Sequence, residues 1–104
     1  MKLFVDTADL AEIERIASWG VLSGVTTNPT LLSKVEGDPD DIYRRVCELV
    51  DGPVSAEVVA TEVDEMVSEG TRLAAIHPNI VVKLPMSEES LTATARLAAD
   101  DIRV

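Results

Sequence analysis

With 104 residues, 46% of them apolar, the chain is sized for one small domain with a packed core. Only 3% of the residues are aromatic, so Val, Leu, Ile and Ala must fill that core. A formal net charge of −10, from 19 acidic against 9 basic residues, disfavours nucleic acid and anionic membrane surfaces as partners.

No apolar run approaches the ~18 residues of a membrane span, and the N-terminal MKLFVDTAD turns acidic too soon for a signal peptide. The single cysteine, Cys47, allows no internal disulfide and fits a reducing cytoplasm. Cys47 reads either as a nucleophile or as a small core residue on a helix.

The predicted elements alternate. KLFVD (2–6) reads as a buried strand. Asp9 to Trp19 reads as a helix with Leu10, Ile13, Ile16 and Ala17 on one face, Asp9 as N-cap, Glu12 as its capping-box partner and Gly20 as the stop. LSGVTTN (22–28) is a short strand ended by Pro29. Asp38-Pro39 opens the second helix as cap and first helical residue, with Ile42, Val46, Leu49 and Val50 inward. Gly52-Pro53 breaks it, and VSAEVVA (54–60) is the third strand.

Thr61 and Asp64 have the spacing of a cap and partner for the third helix, which carries Val63, Met66, Val67 and, past Gly70, Leu73 and Ile76. His77-Pro78-Asn79 ends it. NIVVKLP is the fourth strand. Ser87 starts the fourth helix, through Leu91, Ala95 and Leu97, and residues 101–104 read as the opening of a fifth strand. No second domain is visible, so residues 1–104 are expected to form a single partial barrel domain.

Near-continuous apolar strands alternating with helices predict an α/β fold with a parallel sheet. Four units of about 25 residues fit half of a (β/α)8 barrel. An open doubly wound sheet competes, but no Gly-rich phosphate loop follows the first strand. A half barrel exposes two sheet edges and an apolar inner face, so it is expected to pair with another copy, to pair with a missing half, or to fold poorly.

Each strand carries a polar side chain near its C-terminal end: Asp6, Asn28 after Thr26, Glu57 and Lys83. Because strand side chains alternate, one register aims all four into a common interior at the rim where barrel enzymes place their sites. Singly, each has a plainer reading. Asp6 reads as a helix cap or turn residue, Thr26 as a core strand threonine, and Lys83 as a snorkelling edge lysine. Together on successive strands, they read as a site. In dry surroundings a lysine amine sheds its proton more readily, although nearby carboxylates oppose this. The free amine attacks carbonyls to form a Schiff base. His77, at a helix end away from that rim, reads as a capping residue rather than a proton shuttle.

FVDTAD, GVTTNPTLL, VSAEVVAT and VVKLPMSEE, in this order and spacing, resemble the small transaldolase family, which includes fructose-6-phosphate aldolase-like proteins. The resemblance runs from residue 3 to 104, and TTNP and VVKLP are its most specific parts. It implies a (β/α)8 TIM-barrel fold, here about half a barrel, and Schiff-base chemistry in the pentose phosphate pathway. Lys83 would attack the ketose C2 carbonyl. Asp6 would take the C4 hydroxyl proton as the C3–C4 bond breaks. Glu57 would act through a bound water, and Asn28 would hold the hydroxyls of the dihydroxyacetone unit, with Thr26 helping to shape the pocket.

The same resemblance implies ketose and aldose phosphates of the fructose 6-phosphate class as partners, with no metal and no organic cofactor. A glutamate at position 57 is similar to transaldolases, which transfer the three-carbon unit, whereas a glutamine marks aldolases, which release it. The family's later strands supply a threonine, a serine, an aromatic residue and a phosphate-binding arginine, none of which has a counterpart here. Impaired activity is therefore expected of these residues alone. A fructose-6-phosphate aldolase-like enzyme and a non-catalytic half barrel that assembles with a partner chain are the alternatives.

Overall fold

Where the sequence alternates apolar runs with capped amphipathic segments, the structure, a computed structural model describing residues 1–104, alternates strands with helices. Strands β1 (Leu3–Asp6), β2 (Leu22–Thr26), β3 (Val54–Glu57) and β4 (Ile80–Lys83) form one parallel sheet in the order β1-β2-β3-β4. Helices α1 (Leu10–Ala17), α2 (Pro29–Ser33), α3 (Pro39–Leu49), α4 (Val63–Ala74) and α5 (Glu88–Ala99) fill the connections and the C-terminal segment. The strand order decides between the two predicted architectures. A doubly wound sheet reverses direction and puts its first strand inside. Here β1 lies at an edge and each strand pairs with the next, as in a half of a (β/α)8 barrel.

Burial alternates with the strand pleat. Val54, Ala56, Ile80 and Val82 are buried beneath the helices, while Ser55, Glu57 and Val81 are half-buried and Lys83 is exposed on the opposite face. The core under the helices is aliphatic, built around Ile13, Val25, Val46, Val54, Val82 and Leu97, with Tyr43 as its single aromatic. Each such side chain contributes ~1.5–3 kcal/mol on full burial. On the open face, Phe4 keeps 47% of its surface exposed and leans over Gly24 of the neighbouring strand. Outside β4, the amide of Val82 donates to the Arg103 carbonyl, so residues 102–104 begin to pair where a fifth strand would lie.

Most of the predicted caps are present. Asp9, Asp38 and Ser87 accept from the amides of Glu12, Asp41 and Ser90, and Pro39 occupies the first turn of α3. Gly20 ends the first helical segment at φ +76°, where a side chain would be strained. The reciprocal half of the Asp9–Glu12 capping box runs through a third residue. The Asp9 amide donates to the Thr7 hydroxyl, which in turn donates to Glu12.

Four expectations need correction. The first strand is not buried: β1 lies at the sheet edge, with Leu3, Phe4 and Asp6 exposed and Val5 half-buried. The Thr61–Asp64 cap does not form: Glu62 holds the cap position of α4 without a side-chain bond, and Asp64 pairs with Arg96 of α5 at 2.7 Å. Beyond Pro29 the chain turns into α2, which the sequence reading passed over. In α5 the buried residues are Ser90, Ala93 and Leu97, leaving Leu91 and Ala95 exposed. Leu97 packs where α4 approaches closely at Gly70. A Cβ on Gly70 would sit 2.9 Å from Leu97 Cδ1 and 3.3 Å from Val82 Cγ1.

Cys47 is a core residue on α3. Desolvation, and secondarily the charge of Glu48, pushes its thiol up from 9.0 to about 11. The folded chain is expected to resist disulfide-exchange reagents at pH 8 and to react rapidly once denatured. Because the folded thiol holds its proton more tightly than the unfolded one, stability is expected to fall as pH rises from 9 through 11. Cys47→Ala should lessen that slope in melts taken across the same range.

Candidate active site

The open face of the sheet gathers the predicted side chains into two pairs. Lys83 and Glu57 are register partners at the C-terminal ends of β4 and β3, with Lys83 Nζ 3.3 Å from Glu57 Oε2. Asp6 and Thr26 are register partners on β1 and β2, and the Thr26 hydroxyl donates to Asp6 Oδ1 at 2.9 Å. Val25 pairs with Val54, so Asp6 and Thr26 stand level with Ser55. They therefore lie one pleat, ~7 Å, below Glu57 and Lys83 rather than at equal depth.

Asn28 follows Thr26 at the rim. Its Oδ1 accepts from the Leu31 amide at 2.9 Å and caps α2, which leaves its amide nitrogen as the group free to meet a ligand. Asn28 was singled out from its strand-end position, and the helix it starts is what fixes its side chain.

The surroundings of Lys83 are apolar on the helix side and open on the other. Its side chain is 43% exposed against 20% for Glu57. It lines a hollow of about 300 Å³ with Ser55, Val81, Pro85, Met86 and Leu91. Glu57 borders a separate hollow of about 420 Å³ with Leu32, Val35, Tyr43 and Arg72. Arg72 is held by Asp40 at 2.6 Å, so the second hollow offers no free cation to an anionic ligand. The first, where the amine emerges, is the better candidate for chemistry. No group of three or more His, Cys, Asp or Glu side chains is arranged to hold a metal.

Three residues that the sequence reading did not assign to the site surround it. Between β2 and β3 the ladder bond from the Val25 amide to the Pro53 carbonyl is regular at 3.0 Å. Two residues on, side chains take over. The Thr27 amide donates to the Ser55 hydroxyl at 2.8 Å, and the Thr27 hydroxyl donates to the Ser55 carbonyl at 2.7 Å. The Thr27 carbonyl then accepts from Lys83 Nζ at 3.4 Å and from the Ser55 hydroxyl at 3.4 Å.

Tyr43 of α3 stands behind this seam. Burial pushes its phenol above the usual range, and the neighbouring Thr27 side chain and Glu57 backbone act the other way. Thr27 sits inside the TTNP segment, so position pointed to it, but nothing in the spacing told that the ladder opens there.

His77 lies at the other end of β4 from Lys83, and its Nδ1 accepts from the Asn79 amide at 3.0 Å, a turn-forming role. No helix is long and apolar enough to cross a membrane.

Four consecutive parallel β-α units with a lysine–carboxylate pair at the C-terminal rim define a half barrel of the TIM-barrel class. The family model for transaldolase/fructose-6-phosphate aldolase matches residues 3–104, and the chain belongs to that family. Among its relatives, a probable transaldolase of Thermus thermophilus is 58% identical over 113 residues, covering 100% of this chain and 51% of the relative. Probable transaldolases of Clostridium perfringens (53% identical; 99% of this chain, 48% of the relative) and Chlorobium limicola (50% identical; 99% and 50%) match similarly. The chain thus spans about half the length of the curated relatives it matches.

Proposed function

We propose that these residues carry the imine-forming half of a transaldolase-like enzyme. It would transfer a dihydroxyacetone unit between sugar phosphates, as in the pentose phosphate pathway, in the cytoplasm. The observation that carries the reading is the Lys83–Glu57 pair, 3.3 Å apart on the open face at the strands' C-terminal ends. Lys83 adds to the ketose C2 carbonyl, and loss of water gives an iminium that serves as the electron sink for C3–C4 cleavage. Asp6, oriented by the Thr26 hydroxyl, accepts the C4 hydroxyl proton. Glu57 moves protons through a water during imine formation and hydrolysis. The Asn28 amide nitrogen donates to a substrate hydroxyl while its oxygen stays on α2.

The chemistry as proposed calls for no metal or organic cofactor. Phosphate binding is assigned to the other half of the barrel, which the open face and free edges are suited to receive, whether from a further segment or a second copy. The 104 residues alone are therefore expected to form the imine but to position a sugar phosphate poorly.

Borohydride reduction in the presence of fructose 6-phosphate tests the reading: mass added at Lys83 supports it, and no adduct at any pH overturns it. Glu57 favours transfer over simple cleavage. Adding an acceptor aldose phosphate should yield a new ketose phosphate, whereas release of free dihydroxyacetone irrespective of acceptor would favour the aldolase reading.

Asn28 separates structure from binding. Asn28→Asp retains the capping oxygen and loses the donor, so thermal stability should hold while ketose trapping weakens. Asn28→Ala should in addition cost about 1 kcal/mol of stability.

A further inference from the structure

In a parallel ladder continuing from Val25 and Val54, the Thr27 amide would bond the Ser55 carbonyl, and the Thr27 carbonyl would accept the Glu57 amide. Neither bond forms. The Thr27 amide goes to the Ser55 hydroxyl, the Ser55 carbonyl takes the Thr27 hydroxyl, and the Tyr43 phenol lies beside the Glu57 backbone. The Thr27 carbonyl, in a residue with no exposed surface, is thereby turned toward Lys83 Nζ at 3.4 Å. Buried backbone groups are almost always paired, with other backbone groups, side chains or water, so a ladder that stops must hand its groups to other partners. Here the Thr27 and Ser55 hydroxyls stand in for ladder partners, with the Tyr43 phenol packed behind them, at the one place where the reactive amine needs an acceptor.

We propose that Ser55 and Tyr43 are positioning residues that hold this seam open so that the Thr27 carbonyl orients the Lys83 amine. The inference rests on Lys83 being the imine-forming lysine.

The geometry gives the carbonyl a specific use. A neutral amine has two N–H donors and one lone pair. With one N–H on the Thr27 carbonyl and the other on Glu57 Oε2, the lone pair is directed away from both, toward the open hollow. There it adds to the ketone carbon, and as the nitrogen gives up the proton it had directed at Glu57 the ketone oxygen takes one up, to give a neutral carbinolamine. With a further proton, the carbinolamine loses water to leave an iminium with a single N–H. That N–H keeps the Thr27 carbonyl as its acceptor, which fixes the plane of the C=N bond while Glu57 is released for proton transfer. Glu57 is the charged group that faces Lys83 from β3, and Asp6 on β1 is the other carboxylate of the open face. The residues of α5 bordering the hollow, Ser90, Leu91 and Thr94, carry no charge.

The test compares wild type, Ser55→Ala, Ser55→Thr and Tyr43→Phe in this chain, each confirmed folded by circular dichroism and thermal melting. Dihydroxyacetone with borohydride is the probe, and adduct at Lys83 is read by peptide mass as a rate and as a pH profile. Lys83 trapping is expected to slow about tenfold in Ser55→Ala, with a displaced pH midpoint, and to recover in Ser55→Thr. Tyr43→Phe, which deletes a single oxygen, is expected to act in the same direction and serves if Ser55→Ala does not fold. Unchanged rates and midpoints in the folded variants would overturn the proposal.

A parallel NMR titration of the lysine side-chain nitrogens, with Lys2 and Lys34 as internal controls, keeps the two ideas apart. If wild type traps no adduct, the catalytic reading fails. The seam itself then stands only if Ser55→Ala still moves the Lys83 signal and spares the other two, and falls if it does not.

Discussion

Lys83→Arg is expected to abolish borohydride trapping of fructose 6-phosphate and to reduce any turnover by on the order of a thousand-fold or more. A guanidinium remains charged in water and has no lone pair to offer a carbonyl, yet it can still face Glu57. Because Lys83 is 43% exposed and its ion pair is open to solvent, the substitution should change stability by less than ~0.5 kcal/mol. Loss of the adduct with an unchanged melting temperature therefore identifies a chemical role, and an adduct formed at Lys2 or Lys34 instead would point to non-specific amine reactivity.

The second large effect is on folding. A Cβ on Gly52 would lie 2.0 Å from the Ser23 carbonyl oxygen and 3.0 Å from its carbon, and both belong to the backbone of β2. No rotamer relieves that overlap, so the turn into β3 must move away from β2. Gly52→Ala is expected to destabilise the chain by roughly 2–4 kcal/mol. For a domain of this length, that is a fall of ~10–20 °C in Tm. Gly20→Ala is the control. Its φ of +76° makes a side chain strained, but nothing lies within 4 Å, so the cost should be nearer ~1 kcal/mol. Equal losses in the two variants would show that close approach at Gly52 is not the controlling feature.

What could be read from the sequence was what strand and helix periodicity encode locally. The parity of NIVVK put Ile80 and Val82 under the helices and Val81 and Lys83 on the other face, and that is how they lie. Asp38-Pro39 was legible as a helix start because cap and first-turn proline are adjacent in the chain. Asn28-Pro29 carries the same signature, yet α2 was passed over, since a five-residue helix has no room for an apolar period. The Thr61–Asp64 spacing misled because the helix begins one residue later, with Glu62 at the cap, which leaves Thr61 outside the first turn and Asp64 free to pair with Arg96.

At the site, parity put Asp6, Glu57 and Lys83 on one face of the sheet, but neither their pairing with neighbours nor the stagger between the pairs was legible. The stagger depends on register across β2 and β3, which the sequence leaves open. The seam at Thr27, Ser55 and Tyr43 was invisible for the same reason. It exists only where a ladder fails to continue, and residues from three separate elements meet there.

The unreversed strand order also bears on how the chain acquires its shape. Every pairing joins neighbours in time as well as space: Leu3 waits only for Leu22, Val25 for Val54, and Val54 for Ile80. Within this sheet no strand waits for a partner beyond the next one, which keeps the sequence separation of its contacts short for a parallel sheet. A chain emerging from the ribosome could add one unit at a time onto a sheet already begun. On that schedule Asp6 is set first and Lys83 last, so the amine reaches its neighbours only after the carboxylates that flank it are in place.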